Sequence, residues 1–283
     1  MCVLDVSKNP EAVETEVQAA YLDCFPGGDR QFVARIFGWA TQCFTGGYED
    51  YQAVDAHYHD FEHTLQGTLC MAHLLHGWHR AAATPPLTER MLQLGLLAIL
   101  LHDTGYLKKR GDAEGTGAKY TVTHVQRSTD FAGQFLLGRG FAPEDVKAVQ
   151  NMINCTGLDA DLKHIPFQSE PEKITGFALG TADLLGQMAA ADYVEKLPVL
   201  YAEFAEATRF SRSKGHFISR FASARQLMEE TPRFWETFVR KKLDQDFQGL
   251  WRFLNDPYPS GRNFYFERIE ANMARLKRAL APA

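Results

Sequence analysis

The 283-residue sequence lacks the features that stabilise small secreted domains or hold a chain in a membrane. Its five cysteines are odd in number and form no C-x-x-C pair, so we interpret them as buried thiols of a cytoplasmic protein. The N-terminus shows no basic stretch followed by an apolar one, as a signal peptide would. The longest apolar run, Leu94–Leu101, is too short to span a bilayer. We therefore expect a cytoplasmic protein without a membrane segment.

An excess of positive charge is also missing. The chain has 30 Lys and Arg residues against 35 Asp and Glu residues, a formal net charge of −5. This balance argues against a protein that binds a nucleic-acid duplex. A small phosphorylated substrate stays compatible with it, because one local positive group or a metal ion is enough to bind a phosphate. The expected partner is such a small molecule, and homodimer formation is left open.

The sequence has no internal repeat and no clear strand-like alternation, whereas apolar residues recur at helical spacing along most of the chain. We predict an all-α protein with a single domain over residues 1–283. Its last part, about 211–283, is helical and is either an appendage or part of the core. The predicted helices cover residues 11–24, 29–45, 60–80, 89–102, 121–138, 143–155, 174–191, 194–207, 219–230, 232–251 and 263–280.

Two acidic residues stand in otherwise apolar helical surroundings. An apolar helix runs directly into His102-Asp103, and Gly105 then ends it. Asp183 lies within the apolar run 180–185. Burying such groups is costly unless a partner satisfies them. Imidazole and carboxylate are both good ligands of transition metals, so a metal ion would do so. A buried salt bridge from Asp183 to Lys173 is the alternative.

Histidines at further positions fit the same interpretation. His59 and His63 are four residues apart at the start of a predicted helix, so they share one face. His124 begins the helix that follows an irregular, glycine-containing stretch, 108–120. A second histidine group lacks a neighbouring carboxylate and drifts around its helix, so we interpret it as packing or surface residues; it consists of His73, His76 and His79.

The pattern resembles the HD superfamily of metal-dependent phosphohydrolases, whose minimum signature is His…His-Asp…Asp on a bundle of helices. The corresponding residues are His63, His102, Asp103 and Asp183. Residues 58–64, Tyr-His-Asp-Phe-Glu-His-Thr, are similar to the Tyr-His-Asn-x-x-His-Ala motif of class I cyclic-nucleotide phosphodiesterases. The resemblance covers approximately residues 55–190. It implies a phosphodiesterase-like HD-domain helical bundle with additional C-terminal helices.

The resemblance also implies roles for these residues. One or two divalent ions (Mn, Fe, Zn, Ni, Co or Mg) would be held by the four signature residues, with Asp103 bridging them and His124 beside the second. A metal-activated hydroxide would attack phosphorus, and His59 would protonate the departing oxygen. Thr156, in a segment similar to that family's Ala-Thr-Asp, would lie near the metal-bound waters. Lys108 and Lys109 follow the His-Asp pair closely, and we expect them to contact a phosphate.

Several positions depart from the phosphodiesterase pattern. Asp60 replaces the motif asparagine, and Thr104-Gly105-Tyr106 replaces Val-Asp-His. The Gln and Phe that hold a purine in that family have candidates here by position alone: Gln245, Gln248 and Phe247.

The expected function is therefore metal-dependent hydrolysis of a phosphoester, preferably of a nucleotide or cyclic nucleotide. One alternative is a di-iron HD-fold oxygenase resembling inositol oxygenase, which needs a further histidine that His164 alone could supply. Another is a nucleotide-binding regulatory module without turnover.

Overall fold

Helices form most of the computed structural model, which describes residues 8–157, 160–211 and 217–281. This confirms the prediction of an all-α protein. In these ranges the α-helices are α1 Pro10–Cys24, α2 Phe32–Phe44, α3 Phe61–Arg80, α4 Glu89–Leu101, α5 His124–Leu137, α6 Pro143–Ile153, α7 Glu170–Met188, α8 Tyr193–Phe210, α9 Ala224–Phe234 and α10 Phe264–Leu280.

Shorter elements connect these helices. Two π-helical segments, Trp235–Val239 and Lys242–Asp246, continue α9. Two-residue strands, β1 Asn255–Asp256 and β2 Arg262–Asn263, pair antiparallel with Asn255 opposite Asn263. Single 3-10 turns occur at Thr104–Tyr106, Gly117–Tyr120, Leu162–His164, Phe217–Arg220 and Leu250–Leu254.

Capping side chains fix where the site-bearing helices begin. The Asp60 carboxylate accepts a hydrogen bond from the backbone N–H of His63 at 2.8 Å and so starts α3. Thr88 caps α4 in the same way, as the sequence predicts. Ser169 caps α7, which therefore begins at Glu170 and not at residue 174 as predicted. The predicted break at Pro232 is also wrong, because α9 continues through this residue to Phe234.

Helices α3 and α7 cross at very short distance. A Cβ atom added to Gly186 of α7 would lie 2.7 Å from the backbone oxygen of Gln66 in α3, closer than real Cβ contacts. Gly67 is the neighbouring small residue on α3, with the backbone of Asp183 beside it. The two glycines let the backbones approach, and this crossing brings the first turn of α3 beside the middle of α7.

The C-terminal part shares the apolar core of the preceding helices. The same cluster of buried apolar residues includes Val13 of α1, Leu69 of α3 and Leu276 of α10. Phe247, which follows the second π-helical segment, packs directly over Gly180 of α7. The C-terminal part is thus joined to the rest of the protein and is not a separate appendage. Within the described ranges no helix is both long enough and apolar enough to cross a membrane.

Candidate metal centre

The crossing of α3 and α7 and the end of α4 bring four predicted residues together. His63 lies in the first turn of α3, His102 and Asp103 directly follow α4, and Asp183 lies on α7. His63 Nε2 is 3.2 Å from Asp103 Oδ2 and 3.3 Å from Asp183 Oδ1. His102 Nε2 is 3.3 and 3.5 Å from the same two atoms. Two imidazole nitrogens and two carboxylate oxygens thus face one point.

The tautomer of His102 decides what these atoms can bind. His102 Nδ1 lies 2.7 Å from the carbonyl oxygen of Ile99, which can only accept a hydrogen bond, so Nδ1 carries the proton. In the neutral ring Nε2 is then an acceptor, and it faces carboxylate oxygens that are also acceptors. Neither His102 Nε2 nor Asp103 Oδ2 has a hydrogen-bond partner among the described residues. Acceptors that face one another in a buried site need a proton or a cation between them.

The site is buried, and its charges are strongly coupled. Burial by itself lowers the pKa of His63, but the neighbouring carboxylates of Asp103 and Asp183 outweigh burial and raise this pKa to about 10. Burial raises the pKa of both carboxyl groups, yet the two imidazoles outweigh it and hold each pKa well below its usual range. The pocket therefore favours two carboxylates together with positive charge.

This donor set fits a divalent metal ion. His63, His102 and Asp103 each offer one ligand atom, and these atoms lie within 4.8 Å of one another. A buried group of this composition could bind a metal ion, because a cation would satisfy the Nε2 lone pairs and the carboxylates at once. Asp183 points an oxygen at both imidazoles and is available as a fourth ligand.

His124 faces the other oxygen of Asp103. Its Nδ1–H donates to the carbonyl oxygen of Thr121 at 2.6 Å, which leaves Nε2 as an acceptor 3.9 Å from Asp103 Oδ1. Burial lowers the pKa of His124, so the neutral ring is favoured. The two oxygens of Asp103 are thus directed to different histidines, Oδ2 to His63 and His102 and Oδ1 to His124.

His59 is held beside this cluster by a residue from a distant helix. Its Nδ1 lies 2.6 Å from Glu203 Oε2 on α8. The other oxygen of Glu203 accepts the backbone N–H of Tyr58 at 2.7 Å. Burial raises the pKa of the Glu203 carboxyl, but the charge of His59 outweighs burial and lowers it. Glu203 is therefore an anion that fixes the ring of His59 and leaves Nε2 available.

Tyr106 packs its ring against both His59 and His124. Its ring centroid lies 4.4 Å from that of His59 at an interplanar angle of 9°. It lies 4.8 Å from that of His124 at 25°, and the two histidine centroids are themselves 6.2 Å apart. Tyr106 is fully buried. Its ring therefore supports both histidines from one side.

A cavity of about 560 Å³ opens onto the cluster. His59, His63, Asp103, His124 and Asp183 all line it. Volumes of this size accommodate small organic ligands. Its other walls come from α7, α8, α9 and the region of Phe247. The metal-capable group thus lies at one side of a space large enough for a substrate.

The remaining predicted residues divide into two groups. Thr156 lines the cavity, although its hydroxyl donates to the carbonyl oxygen of Ile153. Lys108 and Lys109 are not brought to the cavity. Lys108 is buried, and its ammonium group donates to Asp55 at 2.9 Å. Lys109 lies over the ring of Tyr51.

The structure also shows the contacts of Lys173, His164 and the histidine group on α3. Lys173 pairs with Glu170 and not with Asp183. His164 is exposed and pairs with Asp161, so it does not join the metal-capable group. In the group interpreted as packing or surface residues, His73 contacts the hydroxyl of Tyr265 and His76 contacts Asp23.

Two residues that support the cluster were not predicted from the sequence. Glu203 supports His59, and Gln187 connects Tyr58 to Asp183: it accepts from the Tyr58 hydroxyl at 2.8 Å and donates to Asp183 Oδ1 at 3.2 Å. Gln187 lies one helical turn after Asp183, a spacing that places both on one face. This spacing is the signal that could have identified Gln187. Glu203 gives no such signal.

Comparison with protein-family models finds none that matches the chain. Comparison with curated proteins gives no significant match.

Proposed function

We propose that this protein is a metal-dependent phosphohydrolase that cleaves a phosphoester. The observation that carries the proposal is the convergence of His102 Nε2 and Asp103 Oδ2, two buried groups without a hydrogen-bond partner among the described residues, on the same point as His63 and Asp183. An HD-type helical bundle is part of this proposal. A divalent ion bound there would supply an activated water and offset negative charge on the phosphoryl group.

The residues of the site form two neighbouring groups, each of which would hold one ion. His63, His102, Asp103 and Asp183 would hold a first ion, and His124 with the second oxygen of Asp103 would hold another. Neutral imidazole and carboxylate ligands accept Mn, Fe, Zn, Ni, Co or Mg, with selection set largely by availability. One or two ions therefore form part of the proposal.

His59 is proposed as the general acid. The Glu203 carboxylate accepts a hydrogen bond from Nδ1, so Nε2 lies at the edge of the cavity and would carry the proton for the leaving group. Donation of that proton to the departing oxygen would avoid an alkoxide leaving group. Positioned acids of this kind contribute about 10²–10⁴-fold. After transfer, the Nδ1–Glu203 contact keeps the neutral ring in the tautomer that can be protonated again at Nε2.

The proposal is tested by metal content and hydrolysis measured on the same samples. We would reconstitute the protein with Mn²⁺, Fe²⁺ or Zn²⁺ and assay 4-nitrophenyl phosphate and bis(4-nitrophenyl) phosphate. Asp103→Asn and Asp183→Asn are expected to lose most of the metal and the turnover. Asp130→Asn, an exposed change on α5, is the control and should keep both.

Two results would contradict the proposal. One is wild-type protein that takes up none of these ions after reconstitution. The other is turnover that survives unchanged in Asp103→Asn. Circular dichroism of each variant separates loss of the site from loss of the fold.

A further inference from the structure

Resting on the proposed function, we infer that the substrate is a phosphate ester of an apolar alcohol, whose aliphatic chain or aromatic ring lies against the walls formed by α8, α9 and Phe247. The polar cluster accounts for the phosphoryl end only. What surrounds the rest of the cavity is predominantly hydrocarbon.

The first wall is one face of α8. Leu197, Leu200 and Phe204 are spaced three and four residues apart, so they lie on the same face, and all three line the cavity. Phe204 stacks on Phe221 at 6.3 Å and 17°, and Leu227 of α9 joins them in a small apolar cluster. This cluster is distinct from the main core and borders the cavity.

This apolar wall is continuous with the reactive groups. On α8, Phe204 directly follows Glu203, which holds His59. On α7, Leu184 directly follows Asp183, and both residues line the cavity. Each helix therefore places a polar residue of the site next to an apolar residue of the wall. A substrate with its phosphoryl group at the cluster would have its alcohol portion against these side chains.

Among the described residues, several polar groups near the cavity that could recognise a nucleobase are bonded elsewhere or directed away from it. The Gln187 amide is already bonded to Tyr58 and Asp183. Gln245 and Gln248, the candidates for purine recognition, are exposed and do not line the cavity. Arg220 and Glu230 pair with each other at 3.2 Å. Phe247, by contrast, is fully buried and presents a ring to the cavity.

The volume supports the same conclusion. The cavity measures about 560 Å³, in the range of sites for drug-sized ligands. A phosphoryl group fills a small fraction of this space. Binding is favoured when a ligand covers the apolar surface of such a cavity and displaces water from it. The remaining space therefore favours an extended or aromatic hydrocarbon.

The experiment is titration calorimetry of the metal-reconstituted protein with n-alkyl phosphonates, from ethyl to octyl. Phosphonates resist hydrolysis, so affinity is read without turnover. Burial of each methylene is expected to tighten binding about fourfold until the chain fills the cavity. Phenyl and benzyl phosphonates form the second arm, which distinguishes an aromatic from an aliphatic alcohol.

Two further ligands test competing substrate classes. Adenosine monophosphate tests a nucleotide. An α,ω-alkyl bisphosphonate tests whether the cavity accepts a second anion, because Lys242 also lines it and lies 5.4 Å from the Phe247 ring centroid. Tighter binding of either ligand than of the best alkyl or aryl phosphonate would overturn the inference. So would affinity that does not depend on chain length.

A matched pair of leucine variants keeps the test independent of folding. Leu200→Asn places an amide on the half-buried wall of α8. It is expected to weaken the binding of octyl phosphonate by about tenfold or more and to change the affinity for ethyl phosphonate by less than about twofold. Leu137→Asn, on the exposed face of α5, should change neither. Equal effects of Leu200→Asn on both ligands would also overturn the inference.

Failure of the inference differs from failure of the proposed function. Esters hydrolysed without any preference for an apolar alcohol would reject the apolar substrate and keep the phosphohydrolase. The opposite result is phosphonate affinity that rises with chain length while none of the corresponding phosphate esters is hydrolysed with any of the metal ions. That result would reject the phosphohydrolase and keep the apolar binding wall.

Discussion

Glu203 holds His59 through a 2.6 Å contact between its Oε2 atom and the ring Nδ1, although 144 residues separate them. The carboxylate is almost completely buried, and its second oxygen accepts the backbone N–H of Tyr58. Helix α8 therefore controls the orientation of a residue at the start of α3. In the proposed reaction Glu203 is a positioning residue, since it acts through His59.

Replacing this carboxylate by an amide gives the first prediction. Glu203→Gln should lower kcat by about 10- to 100-fold and leave the metal content unchanged. KM should change little, because Glu203 does not line the cavity. The measurement is kcat and KM with phenyl phosphate, whose leaving group depends on protonation more than 4-nitrophenolate does.

Glu206→Gln is the matched control for this variant. Glu206 lies one turn further along α8 and accepts hydrogen bonds from Thr116, away from His59. Its replacement should leave kcat unchanged. A kcat that falls equally in both variants would show that the change in α8, and not the loss of the His59 contact, is responsible.

The ring of Tyr106 gives the second prediction. Tyr106→Phe keeps the ring that packs against His59 and His124 and should retain activity within about threefold. Tyr106→Ala removes this support from both histidines, so we expect a loss of roughly tenfold or more, with a weaker second metal equivalent. Turnover and metal content by elemental analysis check both. A Phe variant as impaired as the Ala variant would assign the function to the hydroxyl group instead of the ring.

The close crossing of α3 and α7 gives the third prediction. Gly186→Ala would place Cβ 2.7 Å from the Gln66 backbone oxygen, so one helix must move away. We expect a loss of about 1–3 kcal/mol in the free energy of unfolding. Metal affinity should fall as well, because the same crossing sets the distance between His63 and Asp183. Urea unfolding and metal titration measure the two effects.

An exposed glycine provides the comparison for Gly186. Gly38 of α2 has open space where its Cβ would lie, so Gly38→Ala should stabilise the helix by about 0.5–1 kcal/mol. Metal affinity should not change in this variant. Loss of affinity in Gly38→Ala would mean that the effect of Gly186→Ala is not specific to the crossing.

The pH dependence of stability gives the fourth prediction. Burial lowers the pKa of His73 to about 4, with a smaller contribution from the charge of His76. The folded state keeps His73 neutral, whereas the unfolded chain takes up a proton near pH 6.5. Stability is therefore lost as the pH falls from about 6.5 to about 4, by an amount on the order of 2–3 kcal/mol.

His73→Gln removes this titration and keeps a side chain that can bond the Tyr265 hydroxyl. In metal-free protein it should lose less stability between pH 7 and pH 4.5 than wild type, as measured by urea unfolding at each pH. Identical curves for wild type and His73→Gln would contradict the assignment.

The elements and the ligand group were predictable for local reasons. Caps such as Thr88 and the proline at the start of α6 act within a few residues, so they are visible in the sequence. His102, Asp103 and Asp183 were conspicuous because polar groups in apolar helices require a partner. The structure brings these three residues together with His63, as the His…His-Asp…Asp pattern predicts.

Residues whose role depends on tertiary packing were not predictable. Glu203 is one of several acidic residues on α8, and only the packing of that helix against the start of α3 turns it inward. For the same reason Lys108 was predicted to contact phosphate, although Asp55 binds it in the folded protein. Long side chains in loops find partners that the sequence order does not reveal.

The apolar wall that borders the metal centre has a consequence for how this activity could diversify. The residues proposed as ligands of the first metal ion come from α3, α7 and the turn after α4, whereas Leu227 and Phe234 come from α9 and line the cavity. Under the proposed function, α9 contributes to selectivity without contributing to reactivity. Substitutions in α9 could then redirect the enzyme to new alcohols while the bond-breaking step is inherited unchanged.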